Sequence, residues 1–227
     1  MVDVKEHGAI ATPADYTECR RILFVAIKNY SFASRLLHAG ILRDVEALYA
    51  LMRVGDNRVD VTHAGFASRE AAIEDWERTY WRAFETGTSD HPVMRAYLNT
   101  ACKHGIPADV MAPYFRAMRD DITITRFPTF ADLLYYMDGS ALPVGRAMVY
   151  MVGVRAPHTV ADTLPHADSL SIAMQLSNFW RDVGQDWRLG RVYLPQEDMA
   201  QFGVTEADLD VGRVTPAFVR LMEFEMA

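Results

Sequence analysis

The sequence predicts an all-α, single-domain protein: a helical bundle around a central apolar cavity. Three observations carry this prediction. Nearly every long segment repeats apolar residues at i, i+3 and i+4. No stretch alternates apolar and polar residues as a half-buried strand does. No Pro/Gly/Ser-rich linker, internal repeat or low-complexity tract divides the 227 residues. Half the residues are apolar and 23% are charged, the balance of a chain that folds around a core.

The first predicted helix covers 15–37, with Ile22, Leu23, Ala26, Ile27 and Tyr30 on one face. A second covers 42–60 and leads into a turn ending near Gly65. Ser68 is placed to N-cap a third helix reaching about Phe84, with Glu70 and Glu74 near its positive end. Inside it, Trp76, Tyr80, Trp81 and Phe84 are spaced for core packing. A loop at 87–92 precedes helices over 93–104, 108–121 and 129–154. Pro143 predicts a kink or break in the last of these, because proline lacks the N–H and crowds the preceding turn. The apolar run 147–154 reads as a buried helix turn. A long helix at 166–188 ends in a loop at 190–195.

The net charge of −7 argues against nucleic acid as a partner, since phosphate backbones demand clustered Lys and Arg. Cys19 and Cys102 show neither metal-ligand spacing nor a pairing pattern, so they read as reduced thiols in a cytoplasmic protein. The first ten residues lack the apolar core of a signal peptide. No apolar run approaches the ~20 residues that span a bilayer. Peripheral contact with a membrane surface stays compatible with a lipid-like substrate. None of the seven histidines pairs at i, i+4 or with a cysteine, which argues against zinc.

Two helices carry polar stripes. On the first, Tyr49, Arg53, Asp56 and Asp60 are spaced by four, three and four residues. At 100° per residue they share a narrow arc, opposite Ala47, Leu51 and Val54. On the second, Gln175, Asn178, Asp182 and Asp186 also share an arc, with Leu176, Trp180, Val183 and Trp187 on another side. Carboxylates four residues apart lie roughly 6 Å from each other along a helix axis, a spacing that suits oxygen ligands sharing hard cations. A solvated face typically alternates Glu with Lys, whereas these stripes mix Asp with Arg, Gln, Asn and Tyr beside bulky aromatics. Mg²⁺ binds through a few carboxylates, water and substrate phosphate oxygens. Arg53 and Arg181 are near enough to hold diphosphate oxygens. Together these residues describe a site that ionises an allylic diphosphate.

The run 175–195, QLSNFWRDVGQDWRLGRVYLP, closely resembles the second aspartate signature of squalene and phytoene synthases, Q-L-x-N-x-x-R-D-x-x-x-D followed by G-R-x-Y-L-P. The run 49–60, YALMRVGDNRVD, resembles their first signature, a tyrosine and arginine before D-D-x-x-D. Ser31 and Phe32 match a substrate-contacting pair, while Tyr136 and SALPVG at 140–145 resemble the kinked, cavity-lining helix. The resemblance spans roughly 30–204 and implies an isoprenoid synthase-type bundle that joins two isoprenoid diphosphates head to head.

It implies that Asp56, Asp60, Asp182, Asp186 and Asn178 bind Mg²⁺, with Mn²⁺ as a substitute. Tyr136 and the four aspartates become the catalytic group. Ser31, Phe32, Tyr49, Arg53, Gln175, Asn178, Arg181 and Tyr193 become substrate contacts. A cyclopropyl diphosphate forms and then rearranges; NADPH enters only if the product is squalene. Two geranylgeranyl diphosphates giving phytoene is the favoured reaction, since Gly139, Ser140, Ala141, Gly145 and Ala147 leave room for long chains. Farnesyl diphosphate giving squalene, dehydrosqualene or hydroxysqualene is the alternative. It is favoured by Phe179-Trp180, which resembles the aromatic pair of bacterial hopanoid-pathway members. Terpene cyclisation and a non-catalytic assembly factor of the same fold are disfavoured by the retained aspartates, arginines and G-R-x-Y-L-P. Two departures stand out: Asn57 replaces the second aspartate of the first signature, and the chain ends at Ala227, where the family usually continues through further helices.

Overall fold

The computed structural model describes residues 10–26, 39–60 and 65–227. Its helices are α1 (Pro13–Ala26), α2 (Ala39–Asp60), α3 (Arg69–Thr86), α4 (Pro92–His104), α5 (Ala112–Asp120), α6 (Phe130–Ser140), α7 (Leu142–Val152), α8 (Val160–Arg188), α9 (Gln196–Phe202), α10 (Glu206–Val211) and α11 (Pro216–Glu225). Among the described residues an isolated bridge between Arg126 and Val192 is the sole strand-like pairing.

Local chemistry sets most helix starts. Ser68 is extended and its side chain accepts from the Ala71 N–H, as its spacing predicts. Threonine–aspartate capping boxes open α6 (Thr129/Asp132), α8 (Thr159/Asp162) and α10 (Thr205/Asp208). The box at Thr159 explains why α8 begins at Val160 rather than His166. Its reciprocal hydrogen bonds outweigh Pro165, which costs one N–H in the second turn. The predicted helix 129–154 breaks at Ala141 (φ −122°, ψ −47°), and Pro143 sits in the first turn of α7, where its missing N–H has no partner to lose. The predicted helix 108–121 is a 3₁₀ turn, Ala108–Met111, followed by α5. α1 starts at Pro13, and residues 27–37 of the first predicted helix, with Ile27, Tyr30, Ser31 and Phe32, lie outside the described residues.

The main core joins α1 to α5 and α7. Leu48 and Leu51 of α2, Trp76 and Tyr80 of α3, Tyr97 of α4 and Phe115 of α5 are fully buried, each contributing on the order of 1.5–3 kcal/mol. Two of their polar groups are met by backbone carbonyls: Trp76 Nε1 donates to that of Leu51 at 3.1 Å, and the Tyr80 hydroxyl to that of Ala108 at 2.8 Å. Trp81 departs from the expected core role and is exposed, because it sits one residue off the α3 face that faces inward. Run 147–154 is likewise only part-buried: Ala147 and Met151 are inside, whereas Val152 ends α7 in solvent.

Two smaller apolar clusters flank α8. Phe127, Leu133, Tyr136 and Phe179 form one, with Leu176 packed against it. Val192, Leu194, Met199, Leu209 and Leu221 form the other, taking Trp180, Val183 and Trp187 from the far side of α8. α8 is thereby held by two faces, and its third face is left for polar residues.

Candidate active site

α2 buries Ala47 and Leu51 in the core and turns Tyr49, Arg53, Asp56 and Asp60 the other way. α8 does the same for Gln175, Asn178, Asp182 and Asp186. Both stripes meet a cavity of about 650 Å³ walled by α2, α6, α7 and α8. Tyr49 from the first stripe and Gln175 and Asn178 from the second line it, whereas Arg53, Asp56, Asp60, Asp182 and Asp186 do not. Its remaining wall is largely apolar, including Met52, Ala141, Val144 and Met148, and it opens past Val152, Leu170 and Met174, each about 60% exposed. Ser140, Ala141 and Gly145 line it as expected. Gly139 and Ala147 are small for packing instead. A Cβ on Gly139 would lie 2.2 Å from the Pro113 carbonyl oxygen of α5, and Ala147 is fully buried.

Asp56 is the most perturbed of the stripe carboxyls. It is 37% exposed in a recess deep in the fold, and burial pushes its pKa up to about 7. Arg53 opposes this from 4.0 Å, while the charges of Asp60 and Asp121 add to it. The Tyr114 hydroxyl approaches Asp56 Oδ1 at 3.4 Å and donates to the Met52 carbonyl at 2.7 Å. This approach requires Gly55, where a Cβ would meet that hydroxyl at 2.0 Å. Asn57 is exposed, off the inward side of the helix.

On α8, Asp186 is also raised, first by burial and then by the neighbouring Asp182 charge, with Arg191 opposing. Asp182 is lowered by Arg181, whose guanidinium forks it at 2.6 and 2.8 Å. Arg181 is therefore engaged with its chain neighbour on an exposed face.

Sequence reading missed Asp121, Arg191, Tyr114 and Gly55. Asp121 follows α5, and its carboxylate receives the Tyr136 hydroxyl at 2.8 Å and Arg191 Nη1 at 2.6 Å. Burial raises its pKa against the pull of Arg191. Arg191 also donates to the Tyr193 hydroxyl at 3.1 Å, and the Tyr193 ring stacks on Phe179 at 3.8 Å. Arg191 was visible inside G-R-x-Y-L-P, and a glycine amid a strong helix was the signal for Gly55. Phe179 is buried in this aromatic stack and does not line the cavity.

The carboxyls at Asp56 and Asp186 carry the strain of burial plus like charge, and among the described residues no ion pair reaches Asp60 or Asp186. Such a donor set fits a hard divalent cation. Among the described residues no group of three or more His, Cys, Asp or Glu is close enough to hold a metal ion by itself.

The sequence profile of the squalene/phytoene synthases matches residues 26–227. The chain is 30% identical over 235 residues to the 15-cis-phytoene synthase of Synechococcus elongatus, covering all of this chain and 76% of that protein. It is 29% identical to the phytoene synthase of Arthrospira platensis, covering 77% of that protein. The solved squalene synthase of Alicyclobacillus acidocaldarius superposes with a TM-score of 0.82 at 29% identity, over 93% of this chain and 78% of that one. A dehydrosqualene synthase in complex with ligand gives 0.82 at 28% identity, over 93% and 72%. Two polar stripes that reach one apolar cavity through Tyr49, Gln175 and Asn178, and a family profile that runs through both, make this chain a member of the squalene/phytoene synthase family of prenyltransferases.

Proposed function

We propose that the chain condenses two geranylgeranyl diphosphates head to head to phytoene in a Mg²⁺-dependent reaction. The observation that carries this reading is the cavity of about 650 Å³, apolar along its length and met by both polar stripes through Tyr49, Gln175 and Asn178. A ligand matching it has a polyanionic head and a long apolar tail.

In this reading Asp56, Asp60, Asp182 and Asp186, with Asn178, hold the metal. Bound Mg²⁺ supplies charge neutralisation for a departing diphosphate. Arg53 faces the same oxygens from α2. The allylic C–O bond breaks with its electron pair going to the diphosphate. The apolar wall keeps water from the resulting cation, so the double bond of the second substrate attacks it and a proton is lost, closing a cyclopropane. A second ionisation and rearrangement, with loss of another proton, gives the linear product with its central conjugated triene without a reductant. In this reading Tyr136, whose hydroxyl donates to Asp121, orients groups in these steps.

A C30 reaction from farnesyl diphosphate is the second reading, favoured by the likeness to the squalene and dehydrosqualene synthase structures. NADPH would be needed only for squalene. Incubation with each diphosphate and Mg²⁺, followed by analysis of the lipid extract, separates the two. A C40 hydrocarbon from geranylgeranyl diphosphate is expected. A C30 product from farnesyl diphosphate, with geranylgeranyl diphosphate ignored, reverses the choice. Excess chelator should stop either reaction, and full activity in its presence would sink the metal assignment.

A further inference from the structure

Arg191 stands near two carboxylates and binds one of them. From the loop after α8, its Nη1 donates to Asp121 Oδ1 at 2.6 Å and its Nη2 to the Asp121 carbonyl at 3.1 Å. Tyr136 donates to the same Oδ1 at 2.8 Å. The side chains of Asp121 and Arg191 are 11% and 23% exposed, so the pair is largely out of water. Arg191 also lines a small recess together with Asp186, yet among the described residues no ion pair joins these two.

A guanidinium held out of water needs a counter-charge. Without Asp121, the carboxylate across the recess is Asp186. Arg181 already forks Asp182 one turn away. A second arginine on Asp186 would neutralise the α8 stripe with protein charge and remove an oxygen that a cation needs.

We propose that Asp121 is a positioning residue that keeps Arg191 off Asp186, so that the α8 stripe stays open to a divalent cation. This rests on the metal-dependent reading above. Asp121 acts through Arg191, and its own carboxylate is occupied by Arg191 and Tyr136.

The test is calorimetric titration of Mn²⁺ into the full chain with inorganic diphosphate present. Asp121→Asn is expected to weaken Mn²⁺ binding about tenfold, the lower range for an outer partner of a metal ligand. Adding Arg191→Gln to it should restore binding to near the wild-type value, which a merely structural role for the pair would not do. Arg191→Gln alone should bind Mn²⁺ as well as wild type. Undiminished binding by Asp121→Asn, or a double variant as weak as Asp121→Asn, overturns the proposal. If Asp121→Asn fails to fold by circular dichroism, Arg191→Gln decides: lost binding identifies Arg191 as a diphosphate contact and overturns it, while retained binding supports it. Turnover is not needed for any arm. Wild type that binds Mn²⁺ but forms no prenyl product refutes the condensation and leaves this comparison intact; wild type that binds no Mn²⁺ overturns the proposal as well.

Discussion

Gly55 shows how one missing side chain shapes the site. It lets the Tyr114 hydroxyl reach the backbone of α2 beside Asp56. Gly55→Ala gains roughly 1 kcal/mol of helix propensity, but drives the hydroxyl from its acceptor in a buried setting, a loss of about 1–3 kcal/mol. A lowered melting temperature and lowered turnover are expected, with Tyr114→Phe in the same chain recovering part of the stability. Unchanged turnover in Gly55→Ala would show that this contact does not support Asp56. Asp56→Ala and Asp182→Ala should abolish turnover while the fold survives, since each removes a like charge from its stripe. Asn57→Asp should be tolerated, because position 57 is exposed off the inward side. The two stripes were legible because helical period alone aligns their members. Asp121 and Arg191 were not, since they meet across 70 residues, a contact that helical period does not encode.

Among elements, α9 and α11 are joined in a way that predicts pH dependence. Asp198 of α9 is 8% exposed and its charge acts on Glu225 of α11. Burial raises both carboxyls, and Glu225 is pushed up to about 7, with the Asp198 charge adding to the effect. Trp180 Nε1 donates to the Glu225 carbonyl at 3.3 Å, tying this end to α8. A raised acid binds its proton more tightly folded than unfolded. The stabilisation is therefore complete below the unfolded pKa near 4.5 and is lost as pH climbs through about 7. Melting temperature should fall between pH 5 and 8 in wild type, and Glu225→Gln should flatten that fall. An identical pH profile in the variant would refute the pairing. Helix existence was readable from periodicity along most of the chain, but helix starts were decided by capping chemistry, as Thr159 shows at the head of α8.

For the molecule as a whole, the apolar interior was foreseen but its walls were not. Which small residues face the cavity and which merely let helices touch depends on contacts between elements distant in sequence, as at Gly139 against α5. This reassigns chain-length control. Phe179→Ala should cost about 3–5 kcal/mol by emptying a buried aromatic stack, without lengthening the accepted tail. Ala141→Phe, in the cavity wall, should shift preference from C20 toward C15 diphosphates; a ratio of products unchanged in competition assays would count against the cavity as the measuring device. The mouth framed by Val152, Leu170 and Met174 also bears on traffic. Each substrate arrives as an amphiphile whose charged head keeps it dispersed in water, whereas the product has shed both heads and has no aqueous state to leave for. A greasy rim lowers the step from protein to any nearby oil-like phase. Micelles or vesicles added to the assay should thus raise steady-state turnover while leaving the first turnover unchanged, so the rate this enzyme sustains is set by where its product can dissolve.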